Sequence, residues 1–311
     1  MAEAVEFTEH PTAQEMVLIA GWRQWADGGS VSSALPQYLV QQTNARKIGT
    51  LRPDGFYLFQ IPGTHDLVRP VVRFDDGYPR SLDTPRNEFY FTGDERRGVV
   101  IFLGDEPHLD IERYAAALLD AAQTLGVKRI VGLGGVYGEL PYDKERLVSC
   151  IYSLPTMKDS LRRLSVTFSD YHGGASIGSY LCKRAGERNM EFIGLYAFVP
   201  TYNFSGALGA GSGIRLENDF MAWLGVMKRV NYLLKTTFDL ADLEDKAGRV
   251  IESVAAKVDE LDRAAPQLNV RAYMERLSDD FTEVLFDPLA DVWEQELRRI
   301  FGDSEGDEAD V

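Results

Sequence analysis

A short polar and glycine-rich segment of this chain has the residue types of an anion-binding loop. The segment follows an apolar run at 16–21 and contains Asp27, Gly28, Gly29 and Ser30. Successive backbone N–H groups at the start of a helix form a ready site for phosphate or another anion. The same residues also suit a plain helix start, in which Asp27 or Ser30 caps the helix and the glycines permit a tight turn. The segment matches neither GxxxxGK[ST] nor GxGxxG, so both interpretations stay open.

Two tryptophans lie between this apolar run and the glycines, at Trp22 and Trp25. Large aromatic side chains on a loop usually cover a ligand pocket or form part of an interface with another protein. We therefore expect both indoles to line the candidate site.

Further candidate groups follow other apolar runs. Glu106 comes after the run at 98–104, beside Asp105 and His108. A carboxylate at this place could act as a general base, although acids before a helix also suit its macrodipole. The remaining candidates are Gly134, Gly135, Tyr137, His172, Gly173 and Tyr202. Glycines permit a ligand to approach the backbone closely, and Tyr137 could stack on that ligand. A single histidine on a loop, such as His172, is also typical of a solvent-exposed position without a catalytic role.

Four apolar runs must position these residues, and each is predicted to form a buried parallel strand. The runs are 16–21, 98–104, 129–135 and 191–199. An amphipathic helix at 111–125 ends at Gly126, so the unit 98–135 is predicted to be a right-handed βαβ crossover. Pro200 is predicted to end the fourth strand. The carboxyl ends of parallel strands share one edge of a sheet, where the loops are expected to form a cleft.

The rest of residues 1–236 is predicted to complete one α/β domain. Segment 47–91 alternates and is rich in Pro and Gly, which indicates short, partly antiparallel strands. Segments 175–188 and 217–235 are predicted to be helices. The expected fold is a mostly parallel sheet with helices on both faces.

A different pattern begins near Thr236. Apolar residues recur at three- and four-residue steps from Leu240 to Leu261, as in coiled coils. Ala265-Pro266 breaks this pattern, and a second helical run is predicted from Phe281 to Ile300. We expect an antiparallel helical hairpin over 237–302, and a disordered acidic tail over 303–311.

The bulk composition excludes several classes of partner. The chain has 311 residues and a net charge of −15, so it repels nucleic acid and anionic membranes. No apolar segment approaches the length needed to cross a bilayer, and the first residues do not form a signal peptide. Cys150 and Cys182 stand apart from other metal-ligating residues and are expected to be reduced and buried. We expect a cytoplasmic protein with no metal and no cofactor.

The order of several short motifs resembles the proteasome-assembly-chaperone family, in its bacterial branch with a helical C-terminal extension. The motifs are 21–39, Arg69-Pro70, 104–107, 133–135, 171–173 and 199–202. The resemblance implies a phosphorylase/hydrolase-like α/β fold, homo-oligomers that are often trimers, and no established enzymatic activity. Some relatives bind proteasome α-subunits through a C-terminal hydrophobic–Tyr–any tripeptide. This chain ends in Ala309-Asp310-Val311, so the resemblance does not extend to that tripeptide.

Two functions are therefore compared. The first is a non-catalytic assembly or protein-interaction factor that forms oligomers, which the resemblance and the heptad-like helix favour. The second is a binder of, or an enzyme for, a nucleoside-like or phosphate-containing small molecule, which the fold and the glycine segment favour. The sequence has no GxSxG elbow and no complete catalytic set, so we favour the first function.

Overall fold

The computed structural model describes residues 4–60, 68–204 and 213–286. Its strands are β1 (Val5–Phe7), β2 (Glu15–Arg23), β3 (Arg46–Leu51), β4 (Val71–Asp75), β5 (Tyr78–Asp83), β6 (Asn87–Gly93), β7 (Arg97–Asp105), β8 (Val127–Gly138), β9 (Val148–Tyr152), β10 (Thr167–Phe168), β11 (Glu191–Asn203) and β12 (Gly213–Arg215). Its α-helices are α1 (Ala34–Gln42), α2 (Ile111–Thr124), α3 (Lys158–Leu161), α4 (Ile177–Glu187), α5 (Phe220–Leu234), α6 (Ala241–Ala264) and α7 (Val270–Asp279).

One mixed sheet of ten strands organises the described residues. Its order is β1-β3-β6-β7-β2-β8-β11-β9-β10, and β12 also pairs with β11. The four strands predicted from apolar runs are β7, β2, β8 and β11, and they lie side by side and parallel in that order. The outer pairs β1–β3, β3–β6, β6–β7 and β11–β9 are antiparallel. The prediction of four buried parallel strands is confirmed.

Helices cover both faces of the sheet because the central strands are apolar on both sides. In β2, Val17 and Ile19 pack in a core with α1 and α5. The alternate residues Leu18 and Ala20 pack in a second core with α2 and α4. Successive side chains of a strand point to opposite faces, so a continuous apolar run requires a helical layer on each side. The predicted α/β fold is confirmed.

The predicted βαβ unit exists, but its two strands are not neighbours. β7 and β8 are connected by α2, and β2 is inserted between them in the sheet. The connection therefore crosses over one strand. Gly126 follows the helix with a φ of +68°, the left-handed conformation expected of a helix C-terminus that ends in glycine.

The fourth strand does not end at Pro200, contrary to the prediction. β11 continues to Asn203, and Tyr202 therefore lies on a strand. The pairing with β9 stops at Ala197, and the pairing with β12 starts at Thr201. Pro200 stays paired with Gly138 of β8 and, on the other side of β11, lies in the gap between these two partners. Proline, which has no N–H to donate, is tolerated at such an interruption of the ladder.

The C-terminal region begins with two helices that pack on the end of the sheet. Val254 and Val258 of α6 share a core with Val270 of α7 and with Tyr202. The second of these helices, α7, lies before the predicted run at 281–300 and was not predicted from the sequence. The first residues of that run, 281–286, have no regular secondary structure. Residues 287–302 of the expected hairpin and the expected tail 303–311 lie outside the described residues. The domain boundary at 236 stays a prediction; it falls between α5 and α6.

Candidate functional site

The candidate residues lie mainly at the edge of the sheet where β7, β2, β8 and β11 end. We name this edge the strand-end rim and define it as residues 23–33, 105–110, 136–140 and 169–177. Residues 23–33, which contain the glycine segment, are named the glycine loop.

The glycine loop is fixed by a carboxylate inside it. Oδ1 of Asp27 accepts hydrogen bonds from the backbone N–H groups of Ser32, at 3.0 Å, and Ser33, at 2.9 Å. Burial raises the pKa of the Asp27 carboxyl, and these hydrogen bonds together with the charge of Arg23 oppose the rise. Gly28–Ser30 form one turn of 3-10 helix, and α1 begins only at Ala34. Asp27 therefore stabilises the turn that precedes α1 by accepting hydrogen bonds from its backbone.

The amides that could hold an anion already donate to protein oxygens. The N–H of Gly29 donates to Oη of Tyr137 at 3.2 Å. The N–H of Ser30 donates to the carbonyl of Asp27, and that of Val31 to the carbonyl of Gly28. The Ser30 hydroxyl donates to the Glu217 carbonyl at 2.6 Å. These donors are therefore engaged within the protein, as the interpretation of the segment as a plain helix start predicts.

The glycines permit close contact between two backbone segments. Gly135 on β8 donates its N–H to the carbonyl of Ala26 at 2.8 Å. A Cβ atom on Gly135 would lie 2.0 Å from the carbonyl oxygen of Gly28, and one on Gly134 would lie 2.3 Å from the ring of Tyr196. Gly29 has a φ of +58° and packs against Asp219. The close approach predicted for a ligand is therefore made by the protein's own backbone.

The two tryptophans occupy different environments. Trp22 is on β2, is 2% exposed, and donates its indole N–H to Oη of Tyr114 at 3.0 Å. The expectation that Trp22 lines a site on a loop is therefore wrong, because the strand continues two residues beyond Gly21 and buries the indole. Trp25 is in the glycine loop, and its side chain is 61% exposed.

Glu106 joins three parts of the strand-end rim. Its Oε2 accepts a hydrogen bond from the N–H of Trp25 at 3.1 Å, and its Oε1 accepts one from the N–H of Ile177 at 2.7 Å. Ile177 is the first residue of α4, so the carboxylate also faces the positive end of a helix dipole. Burial raises the pKa of Glu106, and both hydrogen bonds oppose the rise. The geometry assigns Glu106 a positioning role.

The loop before α4 is exposed. His172, Gly173 and Tyr171 all face solvent, and the Tyr171 side chain is 70% exposed. Tyr171 donates its hydroxyl proton to the carbonyl of Gly174 at 3.4 Å, and its ring lies over Gly173. Ser176 caps α4 by accepting a hydrogen bond from the N–H of Ser179.

Tyr137 and Tyr202 bind other backbone segments. Oη of Tyr137 donates to the carbonyl of Leu216 at 3.1 Å, and the Arg215 guanidinium lies 4.4 Å from the centre of its ring. Tyr202 is 2% exposed and donates its hydroxyl proton to the carbonyl of Leu140. Both tyrosines therefore connect backbone segments beside the rim through their hydroxyl groups, and neither hydroxyl is free to bind a ligand.

A buried ion pair under the glycine loop was not anticipated from the sequence. Nε of Arg146 lies 2.7 Å from Oδ2 of Asp219, and both side chains are at most 1% exposed. Asp219 also caps α5, and its N–H donates to the carbonyl of Gly29. The same carbonyl accepts the indole N–H of Trp223 at 2.8 Å. An aspartate directly before an apolar run is an N-cap signal that could have identified Asp219.

A second unanticipated group is a polar network below the rim. Oη of Tyr114 donates to Oδ1 of Asn87 at 2.9 Å, and Oη of Tyr57 donates to the carbonyl of Asp105 at 2.7 Å. The carboxylate of Asp105 accepts from Nε of Arg23 and from the N–H of Arg86, both at 2.6 Å. These residues are far apart in sequence, so no spacing could have identified them.

The structure therefore brings together most of the candidate residues through direct contacts, and the predicted cleft stays a prediction. Contacts connect Trp25, Asp27, Gly28, Gly29, Ser30, Glu106, Gly135 and Tyr137. His172 lies on the exposed loop five residues before Ile177. Three clefts of about 420, 210 and 480 Å³ in the described residues have other linings: they lie beside Arg97, Arg52 and Cys182. The described residues contain no cluster of His, Cys, Asp and Glu able to hold a metal ion.

Comparison with known proteins identifies the family. The model of the PAC2 family matches residues 21–258. This chain belongs to the PAC2 family. The match covers both the strand-end rim and most of α6. No curated protein sequence matches the chain. Among the helices in the described residues, none is long and apolar enough to cross a membrane.

Solved structures share the PAC2 fold. A proteasome-assembly chaperone homologue from Mycobacterium tuberculosis is 21% identical with a TM-score of 0.66, over 78% of this chain and 94% of that one. A protein of unknown function from Corynebacterium glutamicum is 16% identical with a TM-score of 0.69, over 96% and 99%. An archaeal proteasome activator from Pyrococcus furiosus is 21% identical with a TM-score of 0.58, over 82% and 98%. The Corynebacterium likeness extends over nearly the whole chain.

Proposed function

We propose that this PAC2 protein is a non-catalytic, chaperone-like interaction factor that works as a homo-oligomer and binds a protein partner through the strand-end rim. Membership of the PAC2 family supports this role. So do the structural neighbours, which include a proteasome-assembly chaperone homologue and a proteasome activator. We further propose that the oligomer is a trimer, as the family resemblance implies, and that the protein works in the cytoplasm, as expected from its sequence.

The observation that carries the proposal is the division of roles within the rim. The Gly29, Ser30 and Val31 amides and both Glu106 carboxylate oxygens are engaged in internal hydrogen bonds. The large aromatic side chains of Trp25 and Tyr171 remain 61% and 70% exposed. Exposed aromatics on a fixed backbone are typical of protein-binding hot spots, whereas engaged amides do not favour an anion.

The proposed binding surface consists of Trp25, Tyr171 and His172. Glu106 holds the backbone of Trp25 and the start of α4 in one arrangement. Contacts among Asp27, Gly28, Gly29, Gly135 and Tyr137 hold the glycine loop against β8. A preorganised surface loses less conformational entropy on binding than a flexible one. The surface is therefore suited to bind a folded partner.

The proposal is tested by quantitative co-purification. Tagged wild type and the double variant Trp25→Ala, Tyr171→Ala are purified from the native host, and the bound proteins are quantified by mass spectrometry. Loss of an aromatic hot spot of about 2 kcal/mol weakens binding roughly 30-fold, so the partner should be strongly depleted. The matched control is Leu285→Ala, which truncates a large apolar side chain that is 65% exposed and is not one of the rim residues. Equal partner recovery with the double variant would contradict the proposal.

A second measurement addresses the small-molecule alternative. Inorganic phosphate at about 10 mM should not raise the melting temperature, because a ligand that binds the native state must stabilise it. A reproducible rise that Gly29→Ala abolishes would favour the glycine loop as an anion site and oppose the proposed function.

A further inference from the structure

His108 connects two segments of the chain through both nitrogens of its ring. Its Nδ1 accepts a hydrogen bond from the backbone N–H of Leu58 at 3.2 Å. Its Nε2 lies 3.3 Å from Oε1 of Gln24 in the glycine loop. The imidazole, which is itself part of the strand-end rim, therefore lies between the glycine loop and the segment that follows β3.

These two contacts fix the protonation state of the ring. A backbone N–H can only donate, so Nδ1 must be unprotonated when it accepts from Leu58. The ring proton is then on Nε2, where it donates to the amide oxygen of Gln24. Protonation of the ring would place an N–H group on Nδ1, opposite the N–H of Leu58, and would break that hydrogen bond. The contact with Gln24 would persist, because Nε2 donates in both protonation states.

The hydrogen bond from Leu58 positions an exposed aromatic side chain. We name residues 58–60 the Phe59 segment. The Phe59 side chain is 65% exposed, and the guanidinium carbon of Arg69 lies 4.8 Å from the centre of its ring. Arg69 also donates to the side chain of Gln60, but Arg69 is itself exposed. The bond to His108 therefore ties this segment to the rim.

The residues before the Phe59 segment are anchored independently of the His108 ring. The Phe56 side chain is fully buried, and its carbonyl accepts the backbone N–H of His108 at 2.8 Å. The hydroxyl of Tyr57 donates to the carbonyl of Asp105 at 2.7 Å. Loss of the bond from Leu58 would therefore release the Phe59 segment and leave the preceding residues in place.

We propose that His108 is a pH-dependent latch, whose neutral ring holds the Phe59 segment on the strand-end rim and whose protonated ring releases it and weakens partner binding. The inference rests on the proposed function and adds Phe59 to the proposed binding surface. Histidine suits this role because its charge changes near neutral pH. A released aromatic side chain loses more conformational entropy on binding than a fixed one, so its release lowers the affinity for the partner.

The charged groups around the ring have partners within the protein. Three carboxylates lie in the same segment as His108: Asp105 pairs with Arg23, Glu106 with the N–H groups of Trp25 and Ile177, and Asp110 with Arg113. The ring of Tyr57 packs edge-on at 5.6 Å, and burial raises the pKa of its hydroxyl, so it carries no charge near neutral pH. The glycine loop contributes the uncharged amide of Gln24.

These surroundings set the direction of the pH dependence. Burial lowers the pKa of His108 below 6.5, and the charge of Asp105 opposes this shift. The folded state therefore favours the neutral ring, which is the form that accepts from Leu58. The latch is closed above pH 6.5 and opens as the pH falls through the folded-state pKa of His108.

Nuclear magnetic resonance on the full-length protein tests the latch itself. With isotope-labelled leucine and histidine, the His108 ring should titrate with a midpoint below 6.5. The Leu58 amide proton should shift upfield with the same midpoint and exchange with solvent faster relative to other leucine amides, because it loses its acceptor. A Leu58→Ile variant assigns the amide signal. A His108 ring that titrates while the Leu58 amide stays unchanged, or that does not titrate before the protein unfolds, would overturn the latch.

The variant His108→Asn keeps the acceptor and removes the titration. The side-chain oxygen of asparagine takes the place of Nδ1 and can accept from Leu58 at any pH at which the protein is folded. The pH-dependent change of the Leu58 amide should therefore disappear in this variant. His10→Asn is the control, because it removes an exposed histidine outside the rim and should leave that change as in the wild type.

Co-purification from the native host at about pH 7.5 and about pH 5.5 tests the effect on partner binding. The recovery of partner at the lower pH is divided by the recovery of the same protein at the higher pH, so a change in basal binding cancels. This ratio should be roughly three- to fivefold lower for the wild type than for His108→Asn, as expected from the loss of one hydrogen bond. Titration of the partner itself affects both proteins equally. His10→Asn should give the wild-type ratio.

The possible failures are distinguishable. Absence of any partner with the wild type at both pH values would overturn the proposed function and its regulation, while the resonance titration alone decides whether the latch exists. Equal ratios for the wild type and His108→Asn, together with the expected change at Leu58, would overturn the role of the Phe59 segment in partner binding.

Discussion

The glycine loop and the β4–β5 hairpin both protrude from the sheet, yet they are supported in opposite ways. The loop is fixed by hydrogen bonds that its backbone N–H groups donate to Asp27, Glu106 and Tyr137, and it exposes one indole. The hairpin has only its own strand pairing and exposes every residue. Preorganisation of the loop suits recognition of a folded partner, because little conformational entropy is lost on binding. The hairpin has no comparable support from the rest of the described residues, so the two regions differ in how well their surfaces are preorganised.

The largest loss of stability is expected from Asp219→Ala, which breaks the buried ion pair under the glycine loop. This change leaves the buried guanidinium of Arg146 without its carboxylate and removes the cap of α5. Loss of one partner of a buried ion pair costs about 3–5 kcal/mol, which chemical denaturation should detect. Glu260→Ala, which breaks an exposed ion pair with Lys257, is the control and should be neutral. Equal effects of the two variants would contradict this account of the loop.

A smaller loss of stability is expected from Gly135→Ala. The added methyl would overlap the Gly28 carbonyl, and backbone at both positions must shift, so a cost of about 1–3 kcal/mol is expected. Gly138→Ala is a matched control on the same strand, because its Cβ would meet only ordinary contacts at 3.9 Å or more. Tolerance of Gly135→Ala, with an unchanged denaturation midpoint, would show that the loop is not held against β8.

Glu106→Gln should have a moderate and pH-dependent effect. An amide oxygen can replace only one carboxylate oxygen, so one N–H loses its acceptor at a cost of about 1–3 kcal/mol. The folded state raises the pKa of Glu106 above 4.5, so it binds the proton more readily than the unfolded chain does. This tighter proton binding stabilises the folded wild type below pH 4.5, and the stabilisation is lost as the pH rises through the folded-state pKa of Glu106.

The difference in unfolding free energy between wild type and Glu106→Gln should therefore widen as the pH falls towards 4.5. Asp27, whose pKa is also raised, is present in both proteins and cancels in the difference. A difference that narrows on acidification would contradict the direction assigned to Glu106.

The comparison also separates what a sequence can predict from what it cannot. The central strands follow from apolar runs because burial on both faces leaves no polar position, as in β2. The rim residues Asp27 and Glu106 were found because they follow those strands. Their roles were not predictable, because the groups that complete these contacts are distant in the sequence. The N–H that donates to Glu106 belongs to Ile177, and the hydroxyl that accepts from Gly29 in the glycine loop belongs to Tyr137.

Other differences have specific physical causes. Pro200 remained inside β11 because the partner strand changes at that residue, which no local rule encodes. Trp22 was placed on a loop because glycine often ends a strand, but Gly21 packs too closely against Ser32 to be a free turn. The turn of the hairpin is encoded locally by Asp76-Gly77, both of which have positive φ values.

Native mass spectrometry of material purified from the host tests the role of the rim most directly, because it reads subunit number and bound partner together. The account predicts that the wild type is an oligomer of 34.8 kDa subunits with a bound partner, and that Trp25→Ala, Tyr171→Ala keeps the oligomer and loses the partner. A rim variant that retains its partner, or one that falls apart with its partner still bound, would contradict it.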